Sequence, residues 1–390
     1  VDSAEFALCM HVWGVCHSPG FPLYILIGKF FTEIFPFGSI IYKANLLSAF
    51  FASGTILFVY LTLIRLGLRT LVAFLLSLIL ASSAVFWEYS ISADVFTFNT
   101  FLLSLTFFLL FSKDKLLSFF VLGLSASHFY LSALLFPIFI WYFWGFKPGI
   151  KLITSVGIFI LALFPQLIMY FRMLQSPEVN WGHISNLEGF ANFITRKEFG
   201  SFFLISNPAL TFSLVKFFKH MGFYLYALTL NFGIILPIIA LGYVFFGRLI
   251  KKRQILFLIL SFVAILFIQL LTLSTIDPMS DKAFQINKFY LSSFFLMTLF
   301  IGAVTSFISN KNINHFLPII FIFIILGSLI FNFQSHDLSK NYFSQNLVVD
   351  GLSQLPPNAL AITTSHTFYF GSSYERLVSN RFTDIKLLYF

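Results

Sequence analysis

The amino-acid sequence predicts an all-α polytopic membrane protein, on the evidence of its composition, its apolar runs and its sorting of charge. Of 390 residues, 58% are hydrophobic, 10% are charged and 58 are Phe. Soluble domains carry roughly 25% charged residues, and a water-exposed surface this apolar would aggregate. Lipid would solvate the same surface, and the mean hydropathy of +0.91 agrees with a membrane location.

Apolar runs give the number of spans. A transmembrane helix needs about 20 predominantly apolar residues. Such runs occupy residues 41–64, 70–87, 97–112, 116–130, 131–146, 152–171, 222–246, 254–274, 289–308 and 313–333. We therefore predict about ten spans in a transmembrane domain of residues 1–333. The fourth and fifth are divided where Ser125, Ser127 and His128 interrupt one long apolar stretch.

Charge sorting predicts the orientation. One set of connections holds eleven of the 24 basic residues and a single acid, Asp114. These basic residues are Arg65, Arg69, Lys113, Lys115, Lys147, Lys151, Arg248, Lys251, Lys252, Arg253 and Lys311. The positive-inside rule makes this set cytoplasmic, so the other 14 of the 15 acids lie outside. The formal charge of +9 thus reports orientation, and because no nucleic-acid motif accompanies it we predict no nucleic-acid partner.

The two ends of the chain are also informative. The chain begins abruptly at Val1 with no signal-like segment, so we expect a fragment that lacks its first membrane helix. Residues 334–390 contain a Pro-Pro turn and the strand-like run 359–364. We expect them to begin a soluble extracytoplasmic α/β region.

Cys9 and Cys16 are the two cysteines of the chain. On a continuous helix they would lie about 10.5 Å apart, too far for a disulfide. A bend near residues 17–20 would change that distance, so the sequence leaves the redox compartment open.

Two carboxylates begin the chain. Asp2 and Glu5 are three residues apart, so a helix places them on one face. They would serve as a general base with a supporting acid, or as a capping box of N-cap Asp and N3 Glu. Spacing alone favours the capping box. The Pro- and Gly-rich turn 17–24 and the apolar stretch to Phe37 then predict an interfacial helix on the outer leaflet.

Other outer segments add candidate polar residues. Asp94 lies at the edge of a span, where a charge is costly unless it is paired or solvated; the alternative is an interfacial loop with an aromatic belt. His128 lies in apolar sequence, and there packing is the more common role of a lone His. Asn180 and Trp181 suit a sugar, by hydrogen bonding and by stacking.

Outer cations suit a lipid-linked phosphate. Arg196 and Lys197 are adjacent and could bind phosphate. They could equally belong to an amphipathic helix whose basic side chains reach the headgroups. Lys288 and Tyr290, at the outer end of the ninth span, offer a second such group.

Several classes of chemistry are poorly supported. The sequence has no Gly-rich phosphate loop, no Cys/His zinc spacing and no Gly-x-Ser-x-Gly elbow. We therefore predict neither a metal nor a cofactor. Span centres are nearly free of charge, which argues against an ion pathway. A transporter or flippase of a lipid-linked substrate stays open as the alternative to an enzyme, and an envelope scaffold is a third possibility.

Taken in order, the outer motifs resemble a known family. They read DSAEF at 2–6, HSPGFPLY at 17–24, NLLSA at 45–49, ADVFTFN at 93–99, GLSASH at 123–128, NWG at 180–182 and RKEFG at 196–200. This series is similar to that of the protein O-mannosyltransferase-like membrane proteins of the GT-C superfamily, long catalogued as a domain of unknown function. The departures include Asp94 for Glu, Phe21 and Phe96 for Tyr, Ser18 for Pro, and His183 for Asp.

The resemblance implies a GT-C-like helix bundle and a site on the outer side of the membrane. The donor would be a polyprenyl-phosphate-linked sugar, mannose in this family, and the acceptor a protein hydroxyl. Asp2 would be the catalytic base, with Glu5 beside it. The expected substrate-binding residues are His17, Asp94, His128, Asn180, Trp181, Arg196, Lys288 and Tyr290.

Overall fold

The computed structural model describes residues 2–112, 114–145, 147, 149–182, 184–201, 212–233, 253–279, 286–307 and 313–389. Part of the predicted span 222–246 lies outside these residues. So do Lys113, His183, Arg248, Lys251, Lys252 and Lys311.

The described chain is helical almost throughout. Its first helices are α1 Ser3–Val12, α2 Pro22–Ile34, α3 Ile40–Arg65, α4 Thr70–Ser82, α5 Ala84–Ser90, α6 Val95–Phe111, α7 Lys115–His128 and α8 Leu135–Trp144. There follow α9 Ile150–Leu161, α10 Pro165–Leu174, α11 Leu187–Ile194, α12 Leu214–Phe232, α13 Arg253–Leu273, α14 Leu291–Phe307 and α15 Ile313–His336. Short 3-10 turns precede α8, follow α11 and precede α14.

Within the described residues, each predicted span consists largely of helix, with interruptions inside 70–87 and 152–171. Among the described residues, five helical segments are long and apolar enough to cross a membrane: Ile40–Arg65, Ile150–Leu174, Arg253–Leu273, Asn287–Phe307 and Phe316–His336. The bent pair α4–α5 would make a sixth, and α6, α7 and the segment Tyr130–Trp144 are shorter apolar helices. The all-α polytopic membrane fold is therefore confirmed, whereas the count of ten spans stays a prediction.

The segment that contains α14 lies at the centre of the bundle. In its most apolar stretch 89% of the residues are buried, against 6% in Phe316–His336. The outer helix α15 instead exposes Phe323 and Phe331, as a lipid-facing helix should. Helices α3, α4 and α6 pack around α14.

The run 70–87 is not one straight helix. It bends by 69° at Ser83, between α4 and α5. Ser83 has extended backbone angles, and its hydroxyl donates to the Leu80 carbonyl at 2.7 Å. A local hydrogen bond of this kind offers the backbone carbonyl a partner outside the helix ladder and accompanies the bend.

Residues after α15 form a small α/β unit. It consists of α16 Phe343–Ser353, β1 Leu360–Thr363, α17 His366–Leu377 and β2 Lys386–Tyr389, with β1 and β2 parallel. Helix α17 packs against α1, and the Ile41 amide at the start of α3 donates to the Tyr374 hydroxyl oxygen at 3.3 Å. This unit therefore contacts the beginning of the chain.

Candidate functional site

Helix α1 carries the two carboxylates at its start. Asp2 is the N-cap residue, yet within the described chain its side chain caps no helix amide. The Glu5 side chain is fully buried, and its Oε1 accepts a hydrogen bond from the His17 amide at 2.7 Å. The capping-box interpretation is therefore wrong, because both side chains are engaged with distant parts of the chain.

Lys288 joins Asp2 to Asp94. Its Nζ lies 2.9 Å from Asp2 Oδ2 and 3.4 Å from Asp94 Oδ2. All three side chains are at most 16% exposed. Asp94 is the N-cap of α6, where its Oδ1 also accepts from the Phe96 amide, and Lys288 lies in the 3-10 turn before α14. Two helix starts and the chain start thus meet at one end of the bundle.

The ammonium group sets the protonation of Asp2. Burial by itself would raise the pKa of the Asp2 carboxyl, but the positive charges of Lys288 and His17 and the hydrogen bond from Lys288 act together against burial, and that pKa lies well below its usual range. Asp2 is therefore ionised at neutral pH.

Glu5 is shared by two imidazoles. Its Oε2 lies 2.8 Å from His17 Nδ1 and 3.5 Å from His366 Nε2. The other ring nitrogen of His366 lies 3.9 Å from Asp2 Oδ1. His366 begins α17, so the unit after α15 reaches both carboxylates of α1.

The two imidazoles differ in basicity. Burial would lower the pKa of His17, but the adjacent Glu5 carboxylate raises it above its usual value. At His366 burial prevails over the attraction of Glu5, and its pKa is lowered. A proton is therefore held on His17 in preference to His366.

A disulfide closes the segment beneath these groups. Helix α1 ends at Val12, and Trp13 takes a left-handed conformation with φ of 50°. The chain reverses there, which brings the Cα atoms of Cys9 and Cys16 to 6.1 Å within a disulfide. The continuous-helix distance was wrong because the bend comes earlier than residues 17–20.

The Trp181 ring lies beside the two imidazoles of the site. Its ring centroid lies 6.5 Å from that of His17 and 5.9 Å from that of His366. It stacks on Phe370 at 5.8 Å with an interplanar angle of 22°, and its Nε1 donates to Glu198 at 3.1 Å. The predicted sugar-stacking residue is thus beside the carboxylates.

Asn180 and Arg196 lie in the same part of the chain as Trp181. The Asn180 side chain is nearly buried and donates to the Met173 carbonyl at 3.4 Å, while its backbone bridges to Val15. The charge of Arg196 reaches His17 and lowers its pKa slightly against the effect of Glu5. Asn180 therefore orders the loop, and Arg196 adds positive charge near the site.

His128 and Tyr290 lie within the helix packing. His128 is fully buried, bonds through Nε2 to the Val95 carbonyl at 2.8 Å, and packs edge-to-face on Phe98. Tyr290 is also fully buried, 5.0 Å from the Tyr224 ring. The described contacts of both are with packing residues and not with the carboxylates, so their binding role stays a prediction.

His366 is the site residue that sequence reasoning missed. It lies outside every motif that resembles the family, and it follows a short strand in a region with no assigned role. A cluster of Thr, Ser and His directly after β1 is the signal available, and such clusters are common in loops.

The arrangement can ionise one carboxylate, hold a proton on an adjacent imidazole and present cations at a helix end. The fold and this site define an integral membrane protein with an ion-paired carboxylate cluster at one end of its helix bundle. Residues 2–149 match the family model described as "Protein O-mannosyl-transferase TMEM260 N-terminal domain".

Two curated relatives extend this match. The protein named "Protein O-mannosyl-transferase tmem260" from Dictyostelium discoideum is 24% identical over 423 residues, which cover 93% of this chain and 50% of that protein. The one named "Protein O-mannosyl-transferase TMEM260" from Mus musculus is 28% identical over 221 residues, 52% of this chain and 31% of that protein. These matches confirm the resemblance to the O-mannosyltransferase-like family that the motifs indicated. The chain spans half or less of the length of these relatives.

Proposed function

We propose that this protein is a membrane glycosyltransferase that transfers mannose from a polyprenyl-phosphate donor to a protein hydroxyl on the extracytoplasmic side. The observation that carries the proposal is the ionised Asp2 carboxylate, 2.9 Å from Lys288 and next to the Glu5–His17 pair. A general base and a cation side by side are what sugar transfer from a phosphate requires. The names of the relatives agree with this activity.

The reaction is an inverting displacement with Asp2 as the base. Asp2 takes the proton of the acceptor hydroxyl, and the hydroxyl oxygen attacks the anomeric carbon of the sugar. The bond from that carbon to the phosphate oxygen breaks, and polyprenyl phosphate leaves with the electron pair. Arg196 and Lys288 supply positive charge for the leaving phosphate.

Lys288 couples donor binding to the strength of the base. Paired with Lys288, Asp2 is a weak base because its pKa is held low. A phosphate that attracts the ammonium group draws it away from the carboxylate and makes Asp2 more basic. Asp94, at 3.4 Å, keeps Lys288 within reach of both partners.

Several observations support the extracytoplasmic side. Asp94 precedes α6, and Lys115 begins the helix after it; α6 has 17 residues, a rise of about 25 Å. At that far end, Lys115 and Lys151 both contact the Trp144 ring. Basic residues thus mark the end opposite the carboxylates, as the positive-inside rule requires of the cytoplasmic side. A disulfide in the carboxylate segment also suits an oxidising compartment.

The test is mannose transfer by the full-length protein with Asp2→Asn. In detergent or in vesicles, with a polyprenyl-phosphate mannose donor and an acceptor protein, we expect transfer to fall at least 100-fold. Glu33→Gln is the matched control, since Glu33 lies on the exposed face of α2, paired with Lys29; it should retain transfer. Undiminished transfer by Asp2→Asn would exclude Asp2 as the base. Movement of the donor lipid across the bilayer with no glycosidic bond formed would favour the flippase alternative.

A further inference from the structure

Glu5, His17 and His366 converge as a set of metal-ligating side chains. One ligand atom from each lies within 4.8 Å of the others. Glu5 contributes a fully buried carboxylate, and the side chains of His17 and His366 are 19% and 27% exposed. The site is therefore closed to solvent at Glu5 and accessible to solvent at the two imidazoles.

The environment of Glu5 favours a bound cation. In the described part of the chain, its salt-bridge partners are these two imidazoles, whereas Asp2 and Asp94 share Lys288. A fully buried carboxylate needs a charged or hydrogen-bonding partner. A proton on His17 meets this need, and a metal ion bound to all three side chains would replace that proton.

We propose that Glu5, His17 and His366 form a binding site for a divalent transition-metal ion, of which zinc fits the ligand set best. Two imidazoles and one carboxylate, with a fourth position left open, form a common catalytic zinc composition. The proposal goes beyond the sugar transfer and does not rest on it.

Two of the three ligand-to-ligand distances can be compared with those of a zinc site, and the three ligand atoms all lie within 4.8 Å of one another. Zinc ligands at about 2.0–2.2 Å from the ion lie about 3.3–3.5 Å apart in a tetrahedron. His366 Nε2 is already 3.5 Å from Glu5 Oε2, and His17 Nδ1, at 2.8 Å, would have to move outward by about half an ångström.

The surroundings of the ligands also fit. Metal-bound imidazoles usually direct their other nitrogen to a carboxylate or a carbonyl. The second oxygen of Glu5 accepts a hydrogen bond from the His17 amide at 2.7 Å. His366 Nδ1 lies 3.9 Å from Asp2 Oδ1, which is too long for a hydrogen bond, so Asp2 supplies a nearby negative charge to that ring and does not orient it by a hydrogen bond. Glu5, Cys9 and Cys16 also lie close together, but both sulfurs are in the disulfide and are not available as thiolate ligands.

The experiment measures metal content and affinity in the purified full-length protein. After equilibration with Zn²⁺ or Co²⁺ and removal of free ion, we expect about one ion per chain by mass spectrometry. The Co²⁺ form should show d–d absorption without a thiolate-to-cobalt charge-transfer band. His366→Ala should weaken binding at least tenfold, with His17→Ala as a second ligand variant should His366→Ala fail to fold.

The control is His11→Ala, because His11 is an exposed His on the same helix as Glu5. It should bind the ion as the unmodified protein does. Failure of the unmodified protein to retain Zn²⁺ or Co²⁺ would overturn the proposal, as would equal affinity in the His11→Ala, His17→Ala and His366→Ala proteins. A thiolate-to-cobalt band would overturn it in favour of the cysteines. None of these readouts depends on sugar transfer, so the two proposals can fail separately.

Discussion

Lys288 holds two carboxylates from distant parts of the chain, and all three side chains are nearly buried. The attraction between buried charges is strong because little water screens it. The same burial makes each partner costly to leave alone. Each of the three groups therefore needs its partners to remain charged in this buried position.

Replacement of Lys288 should destabilise the protein strongly. In Lys288→Met, Asp2 and Asp94 lose their ammonium partner, and the removal of one member of a buried pair costs about 3–5 kcal/mol. We expect a clear drop in the thermal unfolding temperature of the protein in detergent.

Lys219→Met is the matched control for that substitution. Lys219 also pairs with an aspartate, Asp277, at 3.0 Å, but both side chains are more than a third exposed. Solvent screens such a pair, so its loss should barely change the unfolding temperature. Equal shifts in the two variants would mean that the pairs of Lys288 contribute little.

Motif order led to Asp2, Glu5, His17 and Asp94, and the outer end of the ninth predicted span led to Lys288. The structure places all five at one end of the bundle. Their partners were not predictable. The spacing of Asp2 and Glu5 favours a capping box, and only the tertiary contacts with Lys288 and His17 show that the two side chains are used otherwise. His366 was missed because a contact across more than 340 positions leaves no trace in local sequence.

Among the helices, α7 and α9 approach each other closely at a glycine. A Cβ atom on Gly123 would lie 2.5 Å from the Phe159 carbonyl oxygen and 2.6 Å from the Ala162 Cβ. Small residues allow such an approach between membrane helices. The contact therefore depends on the absence of a side chain at position 123.

Gly123→Ala should consequently destabilise the bundle. The added methyl group has to push the backbone of α9 away, at a cost of about 1–3 kcal/mol. Gly157→Ala is the control, since no atom of the described chain lies within 4 Å of a Cβ built there; it should be neutral or slightly stabilising because Ala is the better helix former. Comparison of the two unfolding temperatures tests the prediction, and an equal effect would contradict it.

The docking of α17 depends on an aromatic stack. Trp181 faces Phe370 and also lies 5.8 Å from the Tyr389 ring of β2. Trp181→Ala removes these contacts, so the amides of α17 should exchange with deuterium at least several-fold faster. Trp87→Ala removes a ring that contacts His336 and Phe333 instead, and it should leave the exchange of α17 unchanged. Unaltered exchange in Trp181→Ala would show that other contacts hold α17 in place.

Helix positions were predictable because apolar runs report them directly, and the bounds differ by a few residues. The positions at which helices are interrupted were not predictable from these runs. A hydrogen bond from the Ser83 hydroxyl to the Leu80 carbonyl accompanies the break. Ser77 makes a similar bond to the Ala73 carbonyl inside the unbroken α4, so a serine in the sequence does not by itself predict a break. An interruption also divides one apolar run into two shorter helices, so helix lengths cannot be read from hydropathy alone. The number of membrane spans cannot be read from it either.

At the scale of the whole molecule, the disulfide reports on the compartment that contains the site. Cys9 and Cys16 lie in the same segment as Glu5 and His17. In intact membranes, a thiol-reactive polymer should add no mass before reduction and two adducts after reduction and unfolding. Free thiols in the protein as isolated from cells would contradict an oxidising side, since disulfides are rare in the cytosol.

The site becomes complete during biosynthesis only when His366 has been synthesised and contacts Glu5. Helix α1 is among the first parts of the described chain to leave the ribosome, and His366 follows more than 300 residues later. Domains fold as the chain emerges, at about 5–20 residues per second, so α1 waits tens of seconds for its partner. A nascent chain thus passes through membrane insertion with an incomplete site, and it acquires the full set of side chains only when the segment that carries His366 folds back onto α1.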